Sequence, residues 1–221
     1  MSRLLETLEI ETAPDPQASV IWLHGLGADG HDFEPIAHEL DLSPATVRFV
    51  FPHAPMMPVT INSGMVMRAW YDIVATDLGR HEDEAGIRAS QATLEELVAR
   101  ERERGMPARR IVLAGFSQGG AIALQTGLRH PDRLAGIMAL SAYAPIASTV
   151  AGEAHAANRD APIFMAHGEL DPIVPVSRAR DSRALLEGLG YPVEWHEYRM
   201  PHSLCVEEIA HLGAWLRRIL A

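Results

Sequence analysis

The segment Gly115-Phe116-Ser117-Gln118-Gly119-Gly120 constrains this chain more than any other. It follows an apolar run, Ile111-Val112-Leu113-Ala114, and precedes a helix-like segment from Ala121 to Leu128. The pattern is strand, sharp turn and helix, with a serine at the apex. A turn this tight leaves no room for a Cβ two residues either side of the apex, so glycine stands at 115 and 119. The same geometry lifts the serine oxygen above the end of a strand, where it is free to attack a bound molecule.

The rest of the chain alternates strand-like and helix-like runs. An edge antiparallel strand is expected from Leu4 to Glu11, where apolar and polar residues alternate. Buried strands are expected at Val20–His24, Gly136–Ser141 and Ile163–His167, and further strands at Val47–Phe51, Ile111–Phe116 and Val193–Tyr198. Helices are expected at Phe33–Leu40, Glu82–Arg104, Ala179–Leu189 and Val206–Leu220. The long one carries an apolar stripe through Ile87, Leu94, Leu97 and Val98 and is closed by Gly105 and Pro107. Met56 to Met67 holds four methionines without helical period and reads as a loop. This order predicts an α/β fold, a mostly parallel twisted sheet with helices on both faces and sites outside the carboxyl ends of the strands. At 221 residues, one domain spanning residues 1–221 accounts for the chain. The segment from Ala142 to Ala161 is alanine-rich and holds too little to build a large cap.

Composition removes several function classes. A formal charge of −10 disfavours nucleic acid and tight docking on an anionic membrane. No apolar run is long enough for a membrane span, and Glu6, Glu9 and Glu11 interrupt any signal-peptide core. A single cysteine, Cys205, excludes an internal disulfide, and a cytoplasmic location is expected. The histidines show no tight ligand spacing such as HExxH, so neither a metal nor another cofactor is expected. Gly25-Leu26-Gly27-Ala28-Asp29-Gly30 fits the dinucleotide pattern GxGxxG, but no acidic residue ends the next strand, which runs into Pro52-His53.

A serine alcohol needs a base to take its proton and a third group to orient that base. In the α/β-hydrolase order the acid follows the serine and the histidine follows the acid. Asp171 lies in the turn after Ile163–His167, stiffened by Pro172 and Pro175, with Glu169 as the rival carboxylate. Three histidines follow. His196 lies mid-strand and His211 within the last helix; His202 alone lies between strand and helix, at the end of the sheet expected to hold Ser117 and Asp171. For an oxyanion, one donor is the Gln118 amide and the second is assigned to Leu26, in the glycine-rich loop after the strand Val20–His24.

Together, Leu23-His24-Gly25-Leu26-Gly27, Pro52-His53-Ala54-Pro55, Trp70-Tyr71-Asp72, the Ser117 segment, His167-Gly168-Glu169-Leu170-Asp171-Pro172-Ile173-Val174-Pro175 and the His202 segment resemble the phospholipase/carboxylesterase family. The resemblance runs over about residues 5 to 220, with the motifs in order. It implies a single-domain α/β-hydrolase without a large cap, acting on carboxylic esters. Ser117 would be nucleophile, Asp171 the orienting acid, His202 the base, and Leu26 and Gln118 the oxyanion hole. It also places the Met56–Met67 segment beside an acyl pocket. Met65 and Trp70 are the candidate substrate-binding residues, although Trp70 and Tyr71 read more simply as packing. One departure stands out: Pro201 precedes His202 where the family usually has glycine.

The expected reaction is hydrolysis of short- to medium-chain carboxylic esters at an open, shallow site. Removal of acyl groups from protein cysteines, or lysophospholipase action, would use the same residues. A non-catalytic small-molecule receptor is the alternative from another class. The expected partner is a small ester or thioester, and the chain itself a monomer or weak homodimer.

Overall fold

The computed structural model describes residues 5–74 and 82–221. Seven strands form one sheet: β1 (Thr7–Glu11), β2 (Ala18–Leu23), β3 (Val47–Pro52), β6 (Ile111–Phe116), β7 (Gly136–Leu140), β8 (Ile163–Gly168) and β9 (Val193–Tyr198). Two short strands, β4 (Met56–Val59) and β5 (Met65–Arg68), pair apart from it. The sheet order is β1-β3-β2-β6-β7-β8-β9. Every neighbouring pair is parallel except β1 with β3, where Thr7 faces Pro52 and Glu11 faces Arg48. The antiparallel edge expected from alternation is therefore present, with Leu4 of that expectation outside the described residues.

The six helices among the described residues are α1 (Glu34–Glu39), α2 (Glu84–Glu103), α3 (Gln118–Arg129), α4 (Val150–Glu153), α5 (Val176–Gly188) and α6 (Val206–Leu220). Strand residues alternate between two cores. Ile21, Leu23, Val50, Leu113 and Ile137 face α2, α3 and α5, through Leu94, Leu97, Ile122 and Leu186. Val20, Trp22, Phe49, Phe51 and Val112 face α1 and α6, through Ala37, Leu212, Trp215 and Leu216. Helices thus cover both faces, and the central strands are buried along their length, as their continuous apolar runs require. No helix among the described residues is long and apolar enough to cross a membrane.

The Met56–Met67 segment differs from its expectation as a loop. It is a hairpin, with Met56 opposite Arg68 and Val59 opposite Met65. Its turn runs through a short 3-10 piece, Thr60–Asn62, then Ser63 and Gly64 at φ 57° and 74°. A serine and glycine in left-handed conformation reverse the chain, while Pro58 and the methionines hide the strand signal. Helix α5 begins at Val176, directly after Pro175, three residues before the expected start.

Candidate active site

Four strand ends converge. Loops leaving β2, β6, β8 and β9 carry Leu26, Ser117, Asp171 and His202, all at the carboxyl edge of the sheet. Ser117 sits at φ 54° and ψ −121°, a conformation rare outside glycine. Its amide donates to the Leu140 carbonyl of β7 at 2.8 Å, and its carbonyl caps α3 by accepting from Ala121 at 3.0 Å. The surrounding packing holds the strained turn. A Cβ on Gly115 would lie 2.2 Å from the Gly119 carbonyl carbon, and one on Gly119 2.3 Å from the Leu23 oxygen. Neither distance is tolerable, so the two glycines allow α3 to start directly against β2 and β6. Gln118 opens α3, and first-turn amides have no acceptor within their own helix.

Asp171 is held from two sides. Its Oδ1 accepts from the amides of Ile173 at 2.8 Å and Val174 at 2.9 Å, and its Oδ2 accepts from His202 Nδ1 at 2.6 Å. The carboxylate is wholly enclosed, whereas the His202 side chain is 16% exposed. The imidazole also packs on the ring of Phe116, with centroids 4.7 Å apart, beside Ser117 in sequence. The backbone leading into His202 lies tight against a glycine: a Cβ on Gly168 would meet the Met200 and Pro201 oxygens, each at 2.4 Å. A third side chain touches the pair. His167, fully buried, places Nε2 3.3 Å from Asp171 Oδ2 and donates to the Val174 carbonyl at 2.8 Å. Burial lowers its pKa. Its position in the strand run gave no sign of that contact.

The loop bearing Leu26 is clamped. His24 Nδ1 donates to the Gly25 carbonyl at 2.7 Å, and His24 Nε2 accepts from Ala54 at 3.0 Å. The bond accepted at Nε2 requires the neutral ring, and burial pushes its pKa down to about 4. Gly27 at φ 78° donates to the Arg68 carbonyl, and Gly30 donates to His53 Nδ1 at 3.1 Å. Asp29, His31 and His53 bring ligand-type atoms within 4.8 Å of one another. His53 Nδ1 is already an acceptor there, and His31 already bonds Asp29 at 3.1 Å. The trio reads as part of the clamp.

Beside Ser117 lies a mainly apolar cavity of about 490 Å³. Leu26, Ile61, Tyr71, Tyr143, Ile173 and Val174 contribute to its wall. Such a volume is ordinary for a small-molecule site. A hollow of about 520 Å³ at the amino ends of the strands is lined by Arg48, Arg104, Arg109 and Arg110 and holds none of the residues above. Its Arg48 and Arg104 are tied to Glu11, Glu9 and Glu101.

Of the two candidate substrate-binding residues, neither lines the cavity. Met65 is exposed on the hairpin, and Trp70 is 2% exposed, its indole donating to the His24 carbonyl at 2.9 Å. The hairpin contributes Ile61 and Asn62 instead, from its turn. Tyr143 and Ile173 were not singled out in sequence; both follow a strand end, the one signal that points to them. His196 bonds Glu194 and stacks on His211, which bonds the Tyr198 hydroxyl, and neither histidine bonds Asp171.

Comparison with known proteins identifies the family. The phospholipase/carboxylesterase family model matches residues 5–220. Acyl-protein thioesterase 1 of Neurospora crassa is 44% identical over 206 residues, covering 87% of this chain and 82% of that protein. Acyl-protein thioesterase 1 of Gibberella zeae is 40% identical over 223 residues, covering 96% and 95%. The crystal structure of Zea mays acyl-protein thioesterase 2 superposes with a TM-score of 0.85 at 25% identity, over 98% of this chain and 99% of that one.

Proposed function

This chain belongs to the phospholipase/carboxylesterase family and is a serine hydrolase, and we propose that it cleaves short- to medium-chain carboxylic esters through an acyl-enzyme on Ser117. The observation that carries this reading is the Asp171–His202 pair, its carboxylate enclosed, at the same sheet edge as a strained serine that lines an apolar cavity. With Asp171 accepting from Nδ1, the other ring nitrogen of His202 is left as a base. It takes the Ser117 proton as the oxygen attacks the acyl carbon. The Leu26 and Gln118 amides hold the oxyanion, each contributing ~3 kcal/mol by analogy with other hydrolases. The protonated imidazole gives its proton to the departing alcohol or thiol. Water then attacks the acyl-serine with the same base, releasing the acid. No metal or cofactor enters these steps.

A second reading has a specific support: the curated relatives cited above are named acyl-protein thioesterases. Thioester cleavage would run through the same groups, with a thiol leaving. One experiment separates the two. Nitrophenyl esters across an acyl ladder are assayed beside matched thioesters, with Ser117→Ala as control. Oxygen esters of short and medium length turning over best supports the esterase. A preference for long-chain thioesters supports the thioesterase, and activity surviving Ser117→Ala sinks both.

A further inference from the structure

The side chain of Gln118 makes two bonds that its backbone role does not require. It is 3% exposed. Its Oε1 accepts from the Trp70 amide at 2.7 Å, and its Nε2 donates to the Tyr71 carbonyl at 2.7 Å. Opposite backbone groups of two adjacent residues are thus both satisfied by one amide, which fixes its orientation.

What hangs from those two residues matters. The Trp70 indole donates to the His24 carbonyl at 2.9 Å, at the root of the loop bearing Leu26. The Trp70 carbonyl accepts from the Ser90 hydroxyl of α2. Tyr71 forms cavity wall. Asp72 accepts from the Thr60 amide at 2.7 Å, so the turn carrying Ile61 and Asn62 is tied to the same segment.

We propose that the Gln118 side chain is a positioning residue that sets the two oxyanion donors and the acyl wall in register. The proposal rests on the reading that Ser117 is the nucleophile. One donor is the Gln118 amide itself. The other, at Leu26, is reached through Gln118, Trp70 and His24, a chain of two hydrogen bonds in a buried setting. Oxyanion donors act only when already aimed at the charge that develops, so displacement lowers turnover more than ground-state binding.

Two variants test this. Gln118→Met keeps the backbone amide and the length but leaves the Trp70 N–H and Tyr71 carbonyl unpaired. Its kcat falls ~100-fold while KM stays within about threefold. Gln118→Glu gives a readout that simple packing would not move. As a neutral acid it accepts from Trp70 and donates to Tyr71, reproducing both bonds. Once ionised, it sets a negative oxygen against the Tyr71 carbonyl. Its kcat therefore exceeds that of Gln118→Met while the carboxyl is protonated and falls as pH rises, an alkaline limb absent from the parent. Burial moves that limb upward from the ordinary carboxylate range.

A kcat for Gln118→Met within threefold of the parent, or a Gln118→Glu profile parallel to the parent's, overturns the proposal. Should Gln118→Met fail to fold, the Gln118→Glu limb decides. Ser117→Ala is assayed on the same ester. If it is inactive while both Gln118 variants match the parent, only this inference falls. If it turns over like the parent, the serine reading falls as well.

Discussion

Glu208 is the third residue of α6 and fully buried, and among the described residues the only group near enough to offset the burial of its carboxylate is the Cys205 backbone amide, whose bond is poorly formed. Burial pushes its pKa from 4.5 up to about 8. The folded chain therefore holds this proton more tightly than the unfolded chain. Below pH 4.5 the carboxyl is neutral in both states and costs nothing. Between 4.5 and 8 the unfolded state ionises and the folded state does not, so stability declines as pH rises. Above 8 the loss is complete. Each pH unit is worth about 1.4 kcal/mol, so the whole window is worth on the order of 5 kcal/mol, with about 3 kcal/mol already lost at pH 7. Glu208→Gln removes the titration while keeping the shape. Urea unfolding of parent and variant at pH 5, 7 and 9 measures the effect. The variant's advantage is expected to grow steadily with pH and to level off above 8. An advantage that changes by less than about 1 kcal/mol from pH 5 to 9 would refute the reasoning.

Three further outcomes follow from the site. Asp171→Asn keeps an oxygen for the Ile173 and Val174 amides but turns an NH₂ toward His202 Nδ1, which favours the wrong tautomer; kcat drops ~10⁴-fold in steady-state assays with little change in thermal unfolding. Gly119→Ala forces a methyl to 2.3 Å from the Leu23 oxygen and destabilises the fold by about 3 kcal/mol or more, read by denaturant unfolding. Tyr143→Ala opens the cavity wall, and the acyl-ladder optimum moves to longer chains; an unchanged optimum would place the acyl group elsewhere.

Local rules with steric content were legible in the sequence. Gly115 and Gly119 predicted the turn because no Cβ fits there, and continuous apolar runs predicted the parallel strands. The strand-end rule gathered Ser117, Asp171, His202 and Leu26 from four separate loops, and the structure sets Asp171 and His202 in contact. The cavity wall was less legible, because it depends on which side chains of neighbouring loops turn inward. Methionine content drew attention to the hairpin, yet Met56 and Met65 point to solvent, and the wall is made by Ile61 and Asn62 of its turn. Trp70 was a candidate substrate-binding residue that read more simply as packing; its indole bond to His24 is set by a contact 46 residues away. The same holds for His167 and for the Gln118 side chain, whose partners only the folded chain brings near.

The central claim is an acyl group carried by Ser117. Its most direct test is rapid acid quenching of the enzyme during turnover of a nitrophenyl ester, followed by intact-mass measurement and peptide mapping. The account predicts a single added acyl mass on the peptide containing Ser117, decaying as free acid appears and absent from Ser117→Ala. Turnover with no such adduct under trapping conditions, or an adduct on another residue such as Cys205, would contradict it.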